Sequence, residues 1–339
     1  MTVRIDQVDL AQADTRSLID SWLARCPSAT IYHTAEWNLI VQEVFATKCR
    51  YFLAHDRGVL VGMLPCHFVR SGRWVVICYS PPRMYEVSYG GPVAIGAKSA
   101  EVCQGLVKAA GHIGIGVIVD LFNSPQNTGW ATATDWGGVT AWGRVTAFES
   151  AYVDLAPSLE EIWNSSLNGK RRNMIRKAEK QGVEIRCLDA DGLDQYWALV
   201  ERMAERAGIA PKPKRYYSRI LEEFGPRDQA RLYLAFRHDV AVAGGIFLRY
   251  RATCYYWVGA SDNSVNLGQG ELVQWQVIQW AKQMGCRWYD LVGVERERLP
   301  HIARFKLGFT GHIVAFHHLG YATALSRVVR RMECILKAR

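Results

Sequence analysis

The stretch "NGKRRNMIRKAEKQG", residues 168–182, sets six basic residues against one acid. On one helix, Arg172, Arg176 and Lys180 stand at i, i+4 and i+8 and line a single face. Like charges at that spacing repel, at about 0.2–0.5 kcal/mol per pair. Met174, Ile175 and Ala178 form the opposing apolar stripe, which turns the cations outward, with Lys177 beside them. The chemistry open to such a face is anion binding; the plainer alternative is a solvated basic surface. A second feature is "NLGQGELVQW", where Gly268 and Gly270 precede a helical pattern. Glycines there offer free backbone N–H groups and a helix dipole to a phosphate, and equally suit an ordinary helix start.

The elements that would position these residues alternate in type. "HTAEWNLIVQEVF" reads as a helix capped by Thr34. "YFLAHD" and "GVLVGMLPCHFV" read as strands joined at Arg57-Gly58. "RWVVICYS" is a third strand, followed by an extended loop, the helix "SAEVCQGLVKAAGHIG" and the buried strand "VIVDLFN". After the strand "AYVDL", one long helix is expected from Ser158, with Glu161 completing a capping box and Gly182 as the stop. Two more helices and three antiparallel strands follow, with turns at His238-Asp239 and near Arg249–Arg251. The Gly-opened helix, "WYDLVGV" and "HIVAFHHLG" come next, and an amphipathic helix ends the chain. The order predicts a mixed α/β (α+β) fold of two tandem GNAT-like acyltransferase domains with largely antiparallel sheets. The expected boundaries are 1–150, joined by a C-terminal helix at 320–339, and a basic second domain at 151–319.

At 339 residues, with 49% hydrophobic residues, the chain suits two globular domains rather than a disordered one. Nine scattered cysteines without a CxxC pair suggest reduced thiols in a cytoplasmic protein. No His/Cys spacing suits zinc, since His317 and His318 are adjacent on a strand and diverge. The N-terminus carries no signal-peptide pattern. The net charge of +9 sits wholly in residues 151–339, because residues 1–150 contain 12 basic and 12 acidic residues. That asymmetry points to a phosphorylated or polyanionic partner of the second half.

"RRNMIRKAEKQGVEI", "YYWVGAS", "YDLVGV" and "RFKLGF" follow one another in an order that resembles the FemABX family of peptidyl transferases, as does "SYGGPV" in the first half. No charged coiled-coil insertion interrupts the second domain, so the resemblance is to the compact FemX-like form. It implies N-aminoacyl transfer from an aminoacyl-tRNA donor to an amine of a phosphorylated or diphosphate-linked envelope or secondary-metabolite precursor. No cofactor is then required, and a cytoplasmic monomer is expected. The alternative is a CoA-dependent N-acyltransferase acting on an amino sugar or exopolysaccharide intermediate, with Gly268 and Gly270 binding the pyrophosphate. Val265 stands where that loop ordinarily has Gln or Arg. A non-catalytic nucleic-acid-binding module fits the charge but not the ordered motifs.

The resemblance also implies roles for residues. In "RFKLGF" it puts Phe305 and Lys306 in the catalytic channel. A fixed cation there would stabilise the oxyanion formed when an amine attacks an ester carbonyl, or hold the terminal phosphate of tRNA. Lys306 is thereby expected to line a wet channel and contribute little to stability, while the ring of Phe305 is expected to pack in the core. Arg172 and Arg176, with Lys177 and Lys180 behind them, would meet substrate phosphates. Tyr255 and Tyr256 face opposite sides of one strand, and Tyr256 would line the acceptor channel with Tyr89. Asp120, ending "VIVDLFN", would orient or deprotonate the amine, unless it is merely a solvent-facing acid; Asp290 reads as structural. The lysine that FemX-like enzymes carry after the first helix's tryptophan is missing, with Lys48 the first available and Arg83 a possible substitute. The C-terminal helix aligns Leu325, Val328, Val329, Met332, Ile335 and Leu336, for packing on the first domain or for peripheral contact with the inner membrane face.

Overall fold

The computed structural model describes residues 3–71, 75–114, 116–127, 143–323 and 326. The chain divides into two compact units, Met1–Phe148 with Ala315–Arg339, and Glu149–Val314. Both boundaries fall inside strands, a few residues before the expected 150 and 319. Of the expected helix over 320–339, residues 320–322 instead end a strand that pairs in the first unit's sheet, and Leu325, Val328, Val329, Met332, Ile335 and Leu336 lie outside the described residues.

The first unit begins with β1 (Arg4–Val8), α1 (Ala13–Leu23), α2 (Ala35–Phe45), β2 (Lys48–Asp56), β3 (Val59–Ser71) and β4 (Val75–Ser80). The short β5 (Val93–Ala94), α3 (Ser99–Gly111) and β6 (Val117–Phe122) follow. Thr34 accepts from the Trp37 N–H at the start of α2, as its hydroxyl type favours. The β2–β3 turn has positive φ at both Arg57 and Gly58, matching the twist of the hairpin. Phe52, Leu64, Cys66 and Cys78 pack with Leu106 and Val107 of α3 on one sheet face. Alternation sends Tyr51, Leu53 and Met63 to the opposite face, where Trp22 of α1 donates to the Leu60 carbonyl at 2.8 Å.

The second unit takes in β7 (Gly143–Asp154), α4 (Leu159–Glu161), α5 (Gly169–Lys180), β8 (Glu184–Leu188), α6 (Leu193–Ala207) and α7 (Lys214–Phe224). It continues through β9 (Ala230–Arg237), β10 (Val240–Tyr250), β11 (Thr253–Ser261), α8 (Gln269–Gln283), β12 (Trp288–Gly293) and α9 (Pro300–Lys306), to β13 (Ile313–Ala322). Its sheet runs β7-β12-β11-β10-β9-β8, while that of the first unit runs β1-β2-β3-β4-β6-β13. The two orders match: four antiparallel strands, a helix, a parallel strand beside the fourth, then a sixth strand. In each, the parallel pair (β4–β6 and β11–β12) is linked through a helix, as a parallel connection requires. The sixth strands are exchanged in chain order. The paired part of β7 belongs to the second unit, and that of β13 to the first.

The expected single helix from Ser158 to Lys180 is two. The Ser158–Glu161 capping box forms, but a π-helical turn at Ile162–Ser166 leads to Leu167 in extended conformation. Asn168 then caps a new helix by accepting from the Arg171 N–H at 3.0 Å. A capping side chain satisfies the orphan N–H groups more readily than continuation through Asn168-Gly169 would. Among the described cysteines only Cys187 is exposed, and all are free thiols.

Candidate active site

In the second unit, β11 and β12 pair only at Thr253↔Trp288, Cys254↔Tyr289 and Tyr255↔Asp290. Both strands continue past that point without pairing, so the sheet opens. Each carries a bulge there. Trp257 is the extra residue of β11 opposite Ile246/Phe247, and β12 takes three steps from Asp290 to Gly293 against two from Tyr152 to Ser150. Bulges re-aim side chains and free ladder carbonyls. Val292 adopts φ +50°, unusual for a β-branched residue. Asp290, fully buried, holds the bulge by accepting from the Ser150 hydroxyl at 2.6 Å and the Val292 N–H at 2.7 Å. The structural reading of Asp290 therefore matches its contacts.

Lys306 ends α9 and reaches this opening. Its Nζ donates to the carbonyls of Val292, at 3.1 Å, and Gly293, at 2.9 Å. The side chain is 8% exposed. Burial lowers its pKa from 10.5 to about 8, against the upward pull of Asp290 and Glu295. The expected wet-channel lysine is thus corrected: the bulge exposes two carbonyls to a dry interior, and the ammonium is drawn in to satisfy them. An ammonium has three N–H donors, so one remains beyond these two bonds.

The position of Lys306 depends on Arg171, a residue sequence reasoning passed over. Arg171 is 7% exposed. Its guanidinium pairs with Glu271 in the first turn of α8 and donates to the Arg304 carbonyl of α9 at 3.2 Å. It also lies 4.8 Å from the ring centre of Phe305 and 5.8 Å from that of Phe309. One side chain so ties α5, α8 and α9 together. The signal was in the spacing, since Arg171, Ile175 and Ala178 stand at i, i+4 and i+7, on the buried stripe. Phe305 is half-buried, edge-on to Phe309 at 5.2 Å, and within reach of Gly270.

The basic face of α5 is smaller than expected. Arg172 turns inward and donates through Nη1 to the carbonyls of Trp163, Asn164 and Leu167, at 3.2, 2.9 and 2.6 Å. The helix break leaves those carbonyls without intrahelical partners, and Arg172 supplies them. Its assignment to an outward phosphate-binding face is therefore corrected. Arg176 is exposed, 5.4 Å over the Trp163 ring, and Lys177 donates to the Asn266 carbonyl. Lys180 is exposed. Gly268 has φ +84°, and a Cβ there would lie 2.1 Å from the Met174 carbonyl oxygen. Close packing of α8 on α5 accounts for this glycine without a ligand. Tyr255 is buried; Tyr256, half-buried, stacks on Phe247 at 5.4 Å, and its hydroxyl lies over Gly259. Burial pushes the Tyr256 phenol up to about 12.

The first-unit candidates have contacts within their own unit. Asp120 lies 3.3 Å from Nε2 of His318, which stacks on Phe122 at 4.2 Å. Arg83 lies 4.4 Å from the ring centre of the same Phe122. Tyr89 is wholly buried, edge-on to Phe316 at 5.4 Å. It is core packing rather than the wall of an open channel, because three aromatic rings (Tyr32, Tyr89 and Phe316) fill that space. His33, also wholly buried, has its pKa lowered to about 4 by burial. Among the described residues no group of acids, histidines and cysteines could hold a metal ion. No described helix is long and apolar enough to cross a membrane.

Residues 166–306 match the acetyltransferase (GNAT) domain family. Over 130 residues the chain is 32% identical to a UDP-N-acetylmuramoylpentapeptide-lysine N(6)-alanyltransferase of Weissella viridescens. That match spans 38% of each chain, well under two thirds of the curated relative. The crystal structure of FemX superposes with a TM-score of 0.72 and 13% identity, covering 96% of this chain and 99% of that one. The C-terminal domain (DUF2156) of a putative lysylphosphatidylglycerol synthetase from Agrobacterium fabrum gives a TM-score of 0.61 at 12% identity, with 96% of each chain covered. At these identities the solved structures speak to fold alone, and the fold agrees with the order of motifs from "RRNMIRKAEKQG" to "RFKLGF". The chain shares the GNAT fold with FemX and is similar in sequence, over part of its length, to that alanyltransferase.

Proposed function

We propose that the protein is an N-aminoacyltransferase that moves an aminoacyl group from aminoacyl-tRNA to an amine of a phosphorylated cell-envelope precursor. The observation that carries this reading is the buried Lys306 ammonium at the opening between β11 and β12, with one N–H left beyond its two carbonyl bonds. An attacking amine forms a bond to the ester carbonyl carbon, and the carbonyl oxygen becomes negative. A preorganised donor in a dry site stabilises that oxygen strongly. The bond from the carbonyl carbon to the ester's ribose oxygen breaks, and that oxygen leaves as a hydroxyl with the proton that the amine gives up. The exposed cations Arg176 and Lys180 suit a phosphate-bearing substrate, and likeness to an alanyltransferase supports the class of acyl group.

A CoA donor is the second reading, favoured by the acetyltransferase description of residues 166–306. Against it stands Glu271, a carboxylate in the first turn of α8, where pyrophosphate would sit. The test is transfer to an amine acceptor with charged tRNA or acyl-CoA as donor. Activity that requires charged tRNA and vanishes with RNase is expected. RNase-resistant activity requiring acyl-CoA would overturn the reading.

A further inference from the structure

On the α3 side of the first unit's sheet, a cleft of about 310 Å³ is lined by Lys48, Arg50 and Arg70, with Gln7, Phe68 and Val76. Strand register builds it. Lys48 and Arg50 are two residues apart on β2 and so share a face, roughly 7 Å apart. Phe68 of β3 pairs directly with Lys48, and Arg70, two residues on, pairs with Val76 of β4. Three cations therefore surround one half-buried aromatic ring, with Gln7 of β1 adding an amide.

No carboxylate lines the cleft, and none pairs with these cations among the described residues. A set of other arginines in the protein does have acid partners: Arg4, Arg186, Arg227, Arg231, Arg287 and Arg296. The overall charge does not explain the difference, because residues 1–150 are neutral on balance. Lys48 and Arg70 stand on the diagonal across β2 and β3, within reach of each other's long side chains, and an anion between them would relieve their repulsion. Arginine forks match phosphate oxygens in pairs, and lysine adds a point charge. Phe68 and Val76 offer a planar or apolar group a surface beside that anion.

We propose that this cleft binds a phosphorylated ligand, with Lys48, Arg50 and Arg70 on the phosphate and Phe68 under the group that carries it. A free nucleotide and a phospholipid headgroup share that chemistry. The cleft is sized for one such group rather than for a track of nucleic acid. It uses no residue of the candidate active site and does not rest on the proposed transferase reaction.

The test is a titration of the full chain by calorimetry with UDP and with inorganic pyrophosphate. Its companion is co-sedimentation with vesicles of phosphatidylglycerol, or of phosphatidylcholine alone. R50E/R70E and, as a charge-reversal control at exposed residues outside both sites, R57E/K98E are compared with the unaltered protein, and the exposed single variant R70E covers a failure of the double variant to fold. Saturable UDP or pyrophosphate binding that R50E/R70E or R70E weakens at least tenfold, and R57E/K98E leaves alone, supports a free ligand. The same loss seen only with phosphatidylglycerol vesicles assigns the phosphate to a lipid. Binding of none of the three probes overturns the proposal, as does binding indifferent to R70E. So does loss of uncharged-tRNA binding in R70E without any small-phosphate or vesicle binding.

Discussion

The Nζ of Lys306 lies 2.9 Å from the Gly293 carbonyl and 3.1 Å from that of Val292, so the lysine closes the bulge that opens the sheet. Structure and chemistry are joined in this one side chain. Lys306→Met leaves both carbonyls without their donor, at a cost of roughly 1–3 kcal/mol for a buried group left unsatisfied. Thermal melts are expected to fall, and single-turnover transfer to slow by about a hundredfold or more, as for loss of one oxyanion donor. An unchanged melt would place the ammonium in water, contrary to its burial.

The pH dependence of that difference has a definite sign. The folded pKa of Lys306, about 8, lies below the ordinary 10.5. Between those values the unfolded chain holds a proton that the folded protein lacks, so the stability of the unaltered protein rises with pH relative to Lys306→Met. The gap should widen by about 1.4 kcal/mol per pH unit at most within that window, and stay flat below it. Turnover should decline over the same rise as the cation is lost. Denaturant melts of both proteins from pH 7 to 10.5 check the first claim, and a constant gap refutes it.

Arg171 and Arg172 are neighbours with separate duties, both structural. Arg171→Met strands Glu271 in a buried setting, and breaking such a pair costs about 3–5 kcal/mol. Adding Glu271→Gln should recover part of that loss, which a double-mutant cycle measures. Arg172→Ala should cost roughly 1–3 kcal/mol through the three carbonyls it serves.

Reversing Arg176 and Lys180 to Glu should leave the melt within about 0.5 kcal/mol, since both are exposed surface residues. KM for a phosphate-bearing substrate should rise and its salt dependence weaken, as fewer counterions are released. KM values unchanged in a folded variant would return these residues to an ordinary solvated face.

Gly268→Ala tests packing rather than chemistry. Its φ of +84° and the Met174 carbonyl 2.1 Å from the added methyl predict loss of stability whichever donor is used. A stable variant deficient only with acyl-CoA would instead mark a phosphate-binding loop.

What the sequence determined by itself was local. Thr34 as a cap, the Ser158–Glu161 box, Gly182 as a stop and the two-residue turns at 57–58 and 238–239 follow from side-chain reach and φ preference over a few residues. The order of elements, and with it the GNAT fold, follows from hydrophobic period. The tertiary structure decided which cations face water. Arg171, Arg172 and Arg176 look alike in sequence, yet one is buried against Glu271, one caps a broken helix and one lies over Trp163. Lys306 took its carbonyl partners from a bulge on another strand, and Lys48, Arg50 and Arg70 met only through the register of β2, β3 and β4. Burial and register depend on contacts distant in the chain, whereas caps and turns are settled within one turn of it.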